Sequence, residues 1–147
     1  MENFVIKIPT TVHFGRDVIS KLHKIAPLYG KKALFVTGQG SVFKNGVYDD
    51  IIKELDGHGI PFVELAGIDP NPRIKTVEAG ARLCREEGVD FIIAAGAGSV
   101  IDCCKAIAAA RYYSGDPWDF FTRKTSVKKV LPVCAVLTLA ATGSEMN

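Results

Sequence analysis

Three short, unbroken apolar runs, each opening into a loop of small polar residues, most constrain what this 147-residue chain can fold into. Ala33-Leu34-Phe35-Val36 runs into Thr37-Gly38-Gln39-Gly40-Ser41, Phe91-Ile92-Ile93-Ala94-Ala95 runs into Gly96-Ala97-Gly98-Ser99, and Val130 to Leu137 runs into residues 138–144. A strand without polar alternation is buried on both faces, so it needs helices above and below its sheet. The intervening segments supply them. Val18, Ile19, Leu22, Ile25 and Ala26 recur at helical spacing, as do Val47, Ile51, Ile52 and Leu55, then Val77, Ala81, Leu83 and Cys84. Val100 to Tyr113 reads as a helix buried on most sides, and Ile60 to Leu65 as one more strand. Phe4 to Phe14, rich in β-branched and aromatic residues, reads as an edge strand or hairpin, with Pro9 tolerated only at an edge or bend. The expected fold is α/β: a doubly wound, mainly parallel sheet with an N-terminal edge strand or hairpin. Strand order is not visible in the sequence.

Composition removes several function classes. A net charge of +2 with no basic face argues against nucleic acid as a partner. No run approaches the roughly 18 apolar residues of a membrane span, and Met1-Glu2-Asn3-Phe4 does not open a secretory signal, so the expected compartment is cytoplasmic. Cys84, Cys103, Cys104 and Cys134 contain no Cys-x-x-Cys and read as small buried hydrophobes in a reducing compartment. His13, His23 and His58 show no His-x-x-x-His spacing, and no metal is expected on this chain.

In a parallel sheet the carboxyl ends of the strands share one edge, and ligands bind in the crevice there. Three glycine-, serine- and threonine-rich loops on one such edge point to a phosphate-bearing nucleotide. The helix after Ser99 would add free amides and the positive end of its dipole. The spacing is not the usual dinucleotide fingerprint: Gly96-Ala97-Gly98 lacks the third glycine, and no acidic residue follows at the ribose distance. No segment fits a P-loop either.

These residues resemble a known family. Gly96-Ala97-Gly98-Ser99-Val100-Ile101-Asp102-Cys103-Cys104-Lys105 is similar to the Gly-Gly-Gly-Ser-x-x-Asp-x-x-Lys segment of the iron-containing (group III) alcohol dehydrogenases. Thr138-Leu139-Ala140-Ala141-Thr142-Gly143-Ser144-Glu145 resembles their second hallmark, and Asp69-Pro70-Asn71-Pro72 and the opening stretch through Pro9, Thr10, Phe14 and Gly15 also match. The likeness runs in order along essentially the whole chain and is nearest to the NADPH-dependent butanol dehydrogenase branch.

The resemblance implies a Rossmann-like, dehydroquinate synthase-like dinucleotide-binding domain over residues 1–147. The family's second, all-helical domain, which holds iron or zinc through one aspartate and three histidines, has no counterpart in these residues. The chain stops at Asn147 directly after a glycine-, serine- and threonine-rich loop, where a helix should begin, and so reads as the front part of a longer protein, inactive by itself. The implied activity of the whole is hydride exchange between NAD(P)H and a small-molecule alcohol or aldehyde. A stand-alone nucleotide-binding or regulatory module is the alternative.

By resemblance, Gly96, Ala97, Gly98 and Ser99 would hold the pyrophosphate, Thr138, Leu139 and Thr142 would flank the adenosine and phosphate, and Asn71 would line the adenosine side. Asp102 and Asn147 would lie toward the nicotinamide. NAD-preferring relatives carry an aspartate after the first strand, whereas Gly38-Gln39-Gly40-Ser41 is uncharged and Lys44 is near, so NADP(H) is expected over NAD(H). Homodimerisation through the N-terminal edge strand is a further implication.

Overall fold

The computed structural model describes residue 5 and residues 7–147. Four strands, β1 (Ala33–Gly38), β2 (Phe62–Ile68), β3 (Phe91–Gly96) and β4 (Val133–Leu137), form one sheet in the order β2-β1-β3-β4, and every pair is parallel. Among the described residues six helices accompany them: α1 (Leu22–Ile25), α2 (Ser41–Lys44), α3 (Val47–Gly57), α4 (Ile74–Glu86), α5 (Gly98–Ala110) and α6 (Trp118–Phe121). Short 3-10 turns, Val18–Lys21 and Ala26–Leu28, flank α1, so the expected first helix is tightened at both ends. No described helix is long and apolar enough to cross a membrane.

The period-two geometry of a strand splits the core into two layers. Leu34 and Val36 of β1, with Ile92 and Ala94 of β3, face Val77, Ala81 and Cys84 of α4 and Ile101, Cys104 and Ile107 of α5. Ala33 and Phe35, with Phe91, Ile93 and Ala95, face Leu22 of α1, Val42 of α2, and Ile51 and Leu55 of α3. β1 and β3 are central and buried on both faces, as their continuous apolar runs require. β2 is an edge strand, mostly half-buried or exposed.

Element boundaries differ from expectation where proline intervenes. β2 begins at Phe62 and extends to Ile68, because Pro61 has no N–H to give the ladder; its carbonyl still accepts from the Ala33 amide at 2.9 Å. β4 begins at Val133 rather than Val130, and Pro132 likewise contributes only its carbonyl, 2.9 Å from the Ile92 amide.

The expected N-terminal edge strand does not form in residues 5 and 7–14, which carry no strand; part of the expected segment lies outside the described residues. Both sheet edges, β2 and β4, leave the described residues of this segment unpaired within one chain. Of its side chains, the Thr10 hydroxyl donates to the Glu145 carbonyl at 3.1 Å.

Two lysine pairs, Lys31-Lys32 and Lys128-Lys129, lie ahead of β1 and β4. At the first, the Asp90 carboxylate accepts from the amides of Lys31 (2.8 and 2.9 Å) and Lys32 (2.9 Å), tying the entrance of β1 to that of β3.

All four cysteines are free thiols, and Cys84, Cys103 and Cys104 are buried. Burial pushes Cys84 and Cys103 from the ordinary value near 9 up to about 11. Two pH units less thiolate means roughly 100-fold slower attack on a disulfide reagent near pH 8. All four thiols are expected to react readily only after denaturation. The folded thiols hold their protons more tightly than the unfolded ones. Their contribution to stability is therefore full below pH 9 and lost as pH rises through 11. A melting temperature that stayed level between pH 9 and pH 11 would contradict this.

Candidate dinucleotide site

β1 sits between β2 and β3, so the sheet grows one way from β1 and the other way from β3. The β1–β2 connection passes over one face through α2 and α3, and the helix after β3 packs on the other. A crevice therefore opens between the carboxyl ends of β1 and β3, the switch point at which doubly wound sheets bind ligands. Gly38-Gln39-Gly40-Ser41 and Gly96-Ala97-Gly98-Ser99 leave these two strands, with Asp69-Pro70-Asn71-Pro72 following β2 and residues 138–147 following β4. The three loops singled out in the sequence, and the 69–72 segment matched by resemblance, thus lie on one sheet edge.

α5 begins in this crevice. Its N-cap, Ala97, has φ −90° and ψ −171°, an ordinary extended conformation in which the methyl group carries no backbone strain. The carbonyl of Ala97 accepts from the amides of Val100 (3.0 Å) and Ile101 (3.3 Å). No side chain caps the helix, and among the described residues the amides of Gly98 and Ser99 have no partner. Two open N–H groups at the positive end of a 13-residue helix favour an anion. Ser99 commits its hydroxyl elsewhere, donating to the Pro70 carbonyl at 2.5 Å and tying this loop to the one carrying Asn71.

The β4 loop closes over the same point. The Thr138 amide donates to the Gly96 carbonyl at 3.1 Å, and the Thr142 and Ser144 hydroxyls share a hydrogen bond of 2.8 Å. A β-carbon at Gly98 would meet both hydroxyls, Ser144 Oγ at 3.1 Å and Thr142 Oγ1 closer still. At Gly96 it would stand 2.6 Å from Val100 Cγ2, so these two glycines are demanded by space. Leu139 is exposed, as is Asp102 in the first turns of α5. Lys105, one turn beyond Asp102, donates to the Ser144 carbonyl and to both the side chain and the carbonyl of Asn147, the last at 2.9 Å.

On the β1 side, Gly40 is the N-cap of α2, Ser41 is its first residue without a side-chain cap bond, and Lys44 lies in its last turn. Gln39 donates to Asp69 Oδ1 at 2.5 Å, joining the β1 and β2 loops through a carboxylate. Thr37, just before Gly38, is 1% exposed and its hydroxyl has no partner among the described residues.

The structure therefore brings 96–99 together with 138–147 and with the 69–72 loop, and joins the last of these to 38–41. Asp69, Lys105 and Ser144 were not singled out as site residues from the sequence. Lys105 was legible in principle, because a residue three positions after Asp102 shares its helix face. A cavity of about 580 Å³ lined by Arg85, Arg111 and Tyr113 opens at the other end of α5 and contains none of these residues.

Comparison with known proteins places this geometry. Residues 9–147 match the family model described as iron-containing alcohol dehydrogenase. NADH-dependent butanol dehydrogenase B of Clostridium acetobutylicum is 49% identical over 147 residues, all of this chain and 38% of that enzyme. NADPH-dependent aldehyde reductase YqhD of Escherichia coli is 41% identical over 150 residues, again all of this chain and 38% of that enzyme. The crystal structure of NADH-dependent butanol dehydrogenase A from Thermotoga maritima superposes with a TM-score of 0.95 at 44% identity, covering 100% of this chain and 37% of that one. The chain thus spans well under half the length of the proteins it matches. A switch-point crevice walled by Gly96–Ser99 and Thr138–Ser144, with a family match reaching from residue 9 to residue 147, leads to one assignment: the chain belongs to the iron-containing alcohol dehydrogenase family.

Proposed function

We propose that residues 1–147 form the dinucleotide-binding domain of an oxidoreductase that exchanges hydride between NADP(H), in preference to NAD(H), and a primary alcohol or aldehyde. The observation that carries this is the pair of open amides, Gly98 and Ser99, at the switch point beneath the Thr142–Ser144 loop. When bound, the dinucleotide supplies the hydride chemistry. The chain's own work is positioning. Gly98 and Ser99 receive the pyrophosphate, Gly96 and Ala97 let it approach, and Thr138, Leu139 and Thr142 flank the adenosine and phosphate portion. Asn71 lines the adenosine side, and Lys105 holds Asn147 one turn beyond Asp102, toward the nicotinamide. Nothing in these residues corresponds to the iron or zinc ligands of the family's helical domain, so no step is assigned to that metal and no turnover is expected of this chain alone.

The preference for NADP(H) rests on the uncharged loop Gly38-Gln39-Gly40-Ser41, with Lys44 in the following turn. Asp69 works against it, since its carboxylate lies at Gln39 and would repel a 2′-phosphate. Calorimetric titration with NADPH and NADH, with NMR of the Gly98 and Ser99 amides, tests both parts. NADPH should bind more tightly and shift those two amides, and Asp69→Asn should widen the preference several-fold. Tighter NADH binding would sink the specificity reading alone, whereas shifts confined to other regions would sink the phosphate site.

The proposed setting is a cytoplasmic protein, supported by four unpaired thiols. The proposed assembly is a homodimer through the N-terminal segment, supported by its exposed Val5, Ile8, Val12 and Phe14.

A further inference from the structure

Glu54 and His58 stand one turn apart at the C-terminal end of α3, where His58 is the C-cap, and His23 of α1 meets them from the neighbouring element. His23 Nδ1 lies 2.7 Å from Glu54 Oε2. His58 Nδ1 lies 3.0 Å from the Glu54 backbone carbonyl oxygen and 3.9 Å from Oε2. The two imidazoles stack with centroids 3.7 Å apart and planes within 4°. One donor atom from each of the three side chains lies within 4.8 Å of the others. The Glu54 side chain is 12% exposed and that of His58 is 43% exposed, so the group is enclosed on the protein side and open to water on the other. Glu54 also borders a cavity of about 280 Å³ lined by Asp17, Asp50 and Lys53, which sets two more carboxylates against a single ammonium group.

We propose that His23, Glu54 and His58 form a binding site for a divalent transition-metal cation of the zinc, nickel or copper class. Two imidazoles and one carboxylate are the donor set these borderline ions take, whereas magnesium and calcium require oxygen donors. A donor bond from His58 Nδ1–H to the Glu54 carbonyl leaves the lone pair on Nε2, the second-shell arrangement that orients a metal-binding histidine. Metal bonds of about 2.0–2.2 Å place ligand atoms some 3.3–3.6 Å apart, so the His23–Glu54 pair, at 2.7 Å, must open while the wider separations, of up to 4.8 Å, close. In this proposal the exposed His58 ring pivots about its Nδ1–H bond to the Glu54 carbonyl, which separates the stacked rings, and water completes the coordination. The carboxylates beside Glu54 raise the local cation concentration at the open side.

Titration of the 147-residue chain with zinc chloride tests the site, with magnesium chloride as the comparison. One zinc per chain is expected, with no matching magnesium signal. His58→Ala, which removes a largely exposed ring, should weaken zinc binding at least 10-fold, and so should His23→Ala. His13→Ala, outside the cluster, should leave it unchanged. Cobalt(II) should give visible d–d absorption without the near-ultraviolet sulfur charge-transfer band that cysteine ligation produces. Equal zinc affinity in the wild type and in the folded His58→Ala variant, or a sulfur charge-transfer band with cobalt, overturns the proposal.

Discussion

Valine at position 98 is expected to abolish dinucleotide binding while leaving the domain folded. Gly98 is not among the glycines with positive φ, so the position demands space rather than backbone freedom. A β-carbon there enters the volume held by the Thr142 and Ser144 hydroxyls, which bond to each other at 2.8 Å. Rotating Thr142 away to relieve the contact breaks that bond and lifts the loop from the start of α5. Valine also places methyl groups where an anion must approach the open amides. An affinity loss of at least about 100-fold corresponds to about 2.7 kcal/mol, the scale of one or two charge-assisted hydrogen bonds made by an anion. The disturbance sits at the sheet's loop edge, outside the packed core, so the melting temperature should move by only a few degrees. Gly98→Ala should fall between wild type and valine. Undiminished NADPH and NADH binding by the valine variant would remove Gly98, and the helix it opens, from the phosphate site.

Much of this edge was legible in the sequence because buried parallel strands leave a simple signature. The runs beginning at Ala33 and Phe91 are apolar without alternation since helices cover both faces, and each ends where small residues begin. β2 was harder to delimit. As an edge strand its burial is incomplete, and Pro61 shifts the ladder without ending it. The N-terminal segment shows the limit of local propensity: Val5, Ile8, Val12 and Phe14 suit a strand, yet no strand of this sheet pairs with them. Contacts between loops were invisible for a related reason. Gln39 and Asp69 are 30 residues apart, and Lys105 and Asn147 are 42 apart, so only the β2-β1-β3-β4 order brings them together. The histidine cluster was not legible because it is assembled from two separate elements. Its local element is Glu54-x-x-x-His58, and its third member arrives from α1.

Phe35→Ala should produce the reverse of the Gly98 result: a large loss of stability with the folded protein's binding site intact. Phe35 is fully buried in β1, pairing with Glu64 of β2 on one side and Ile93 of β3 on the other. Its ring packs against Tyr48 at 5.6 Å and edge-on against Phe62 at 6.3 Å, between the sheet and α3. Removing the ring loses its transfer free energy and leaves a cavity that a strand hydrogen-bonded on both sides cannot close. Such substitutions cost about 3–5 kcal/mol, a large share of the roughly 5–15 kcal/mol by which a domain is stable. The melting temperature should fall by roughly 10 °C or more, and the denaturant midpoint should fall with little change in slope. Phe35→Leu, which keeps much of the volume, should lose far less. Phe35 is turned toward Leu22, Ile51 and Leu55, away from the open amides of α5. Apparent dinucleotide affinity should therefore drop only by the folded fraction and recover on cooling or with a stabilising osmolyte. Weakened binding that persisted in fully folded Phe35→Ala would instead mean that β1 packing sets the shape of the 38–41 loop, and that core and site are mechanically one unit.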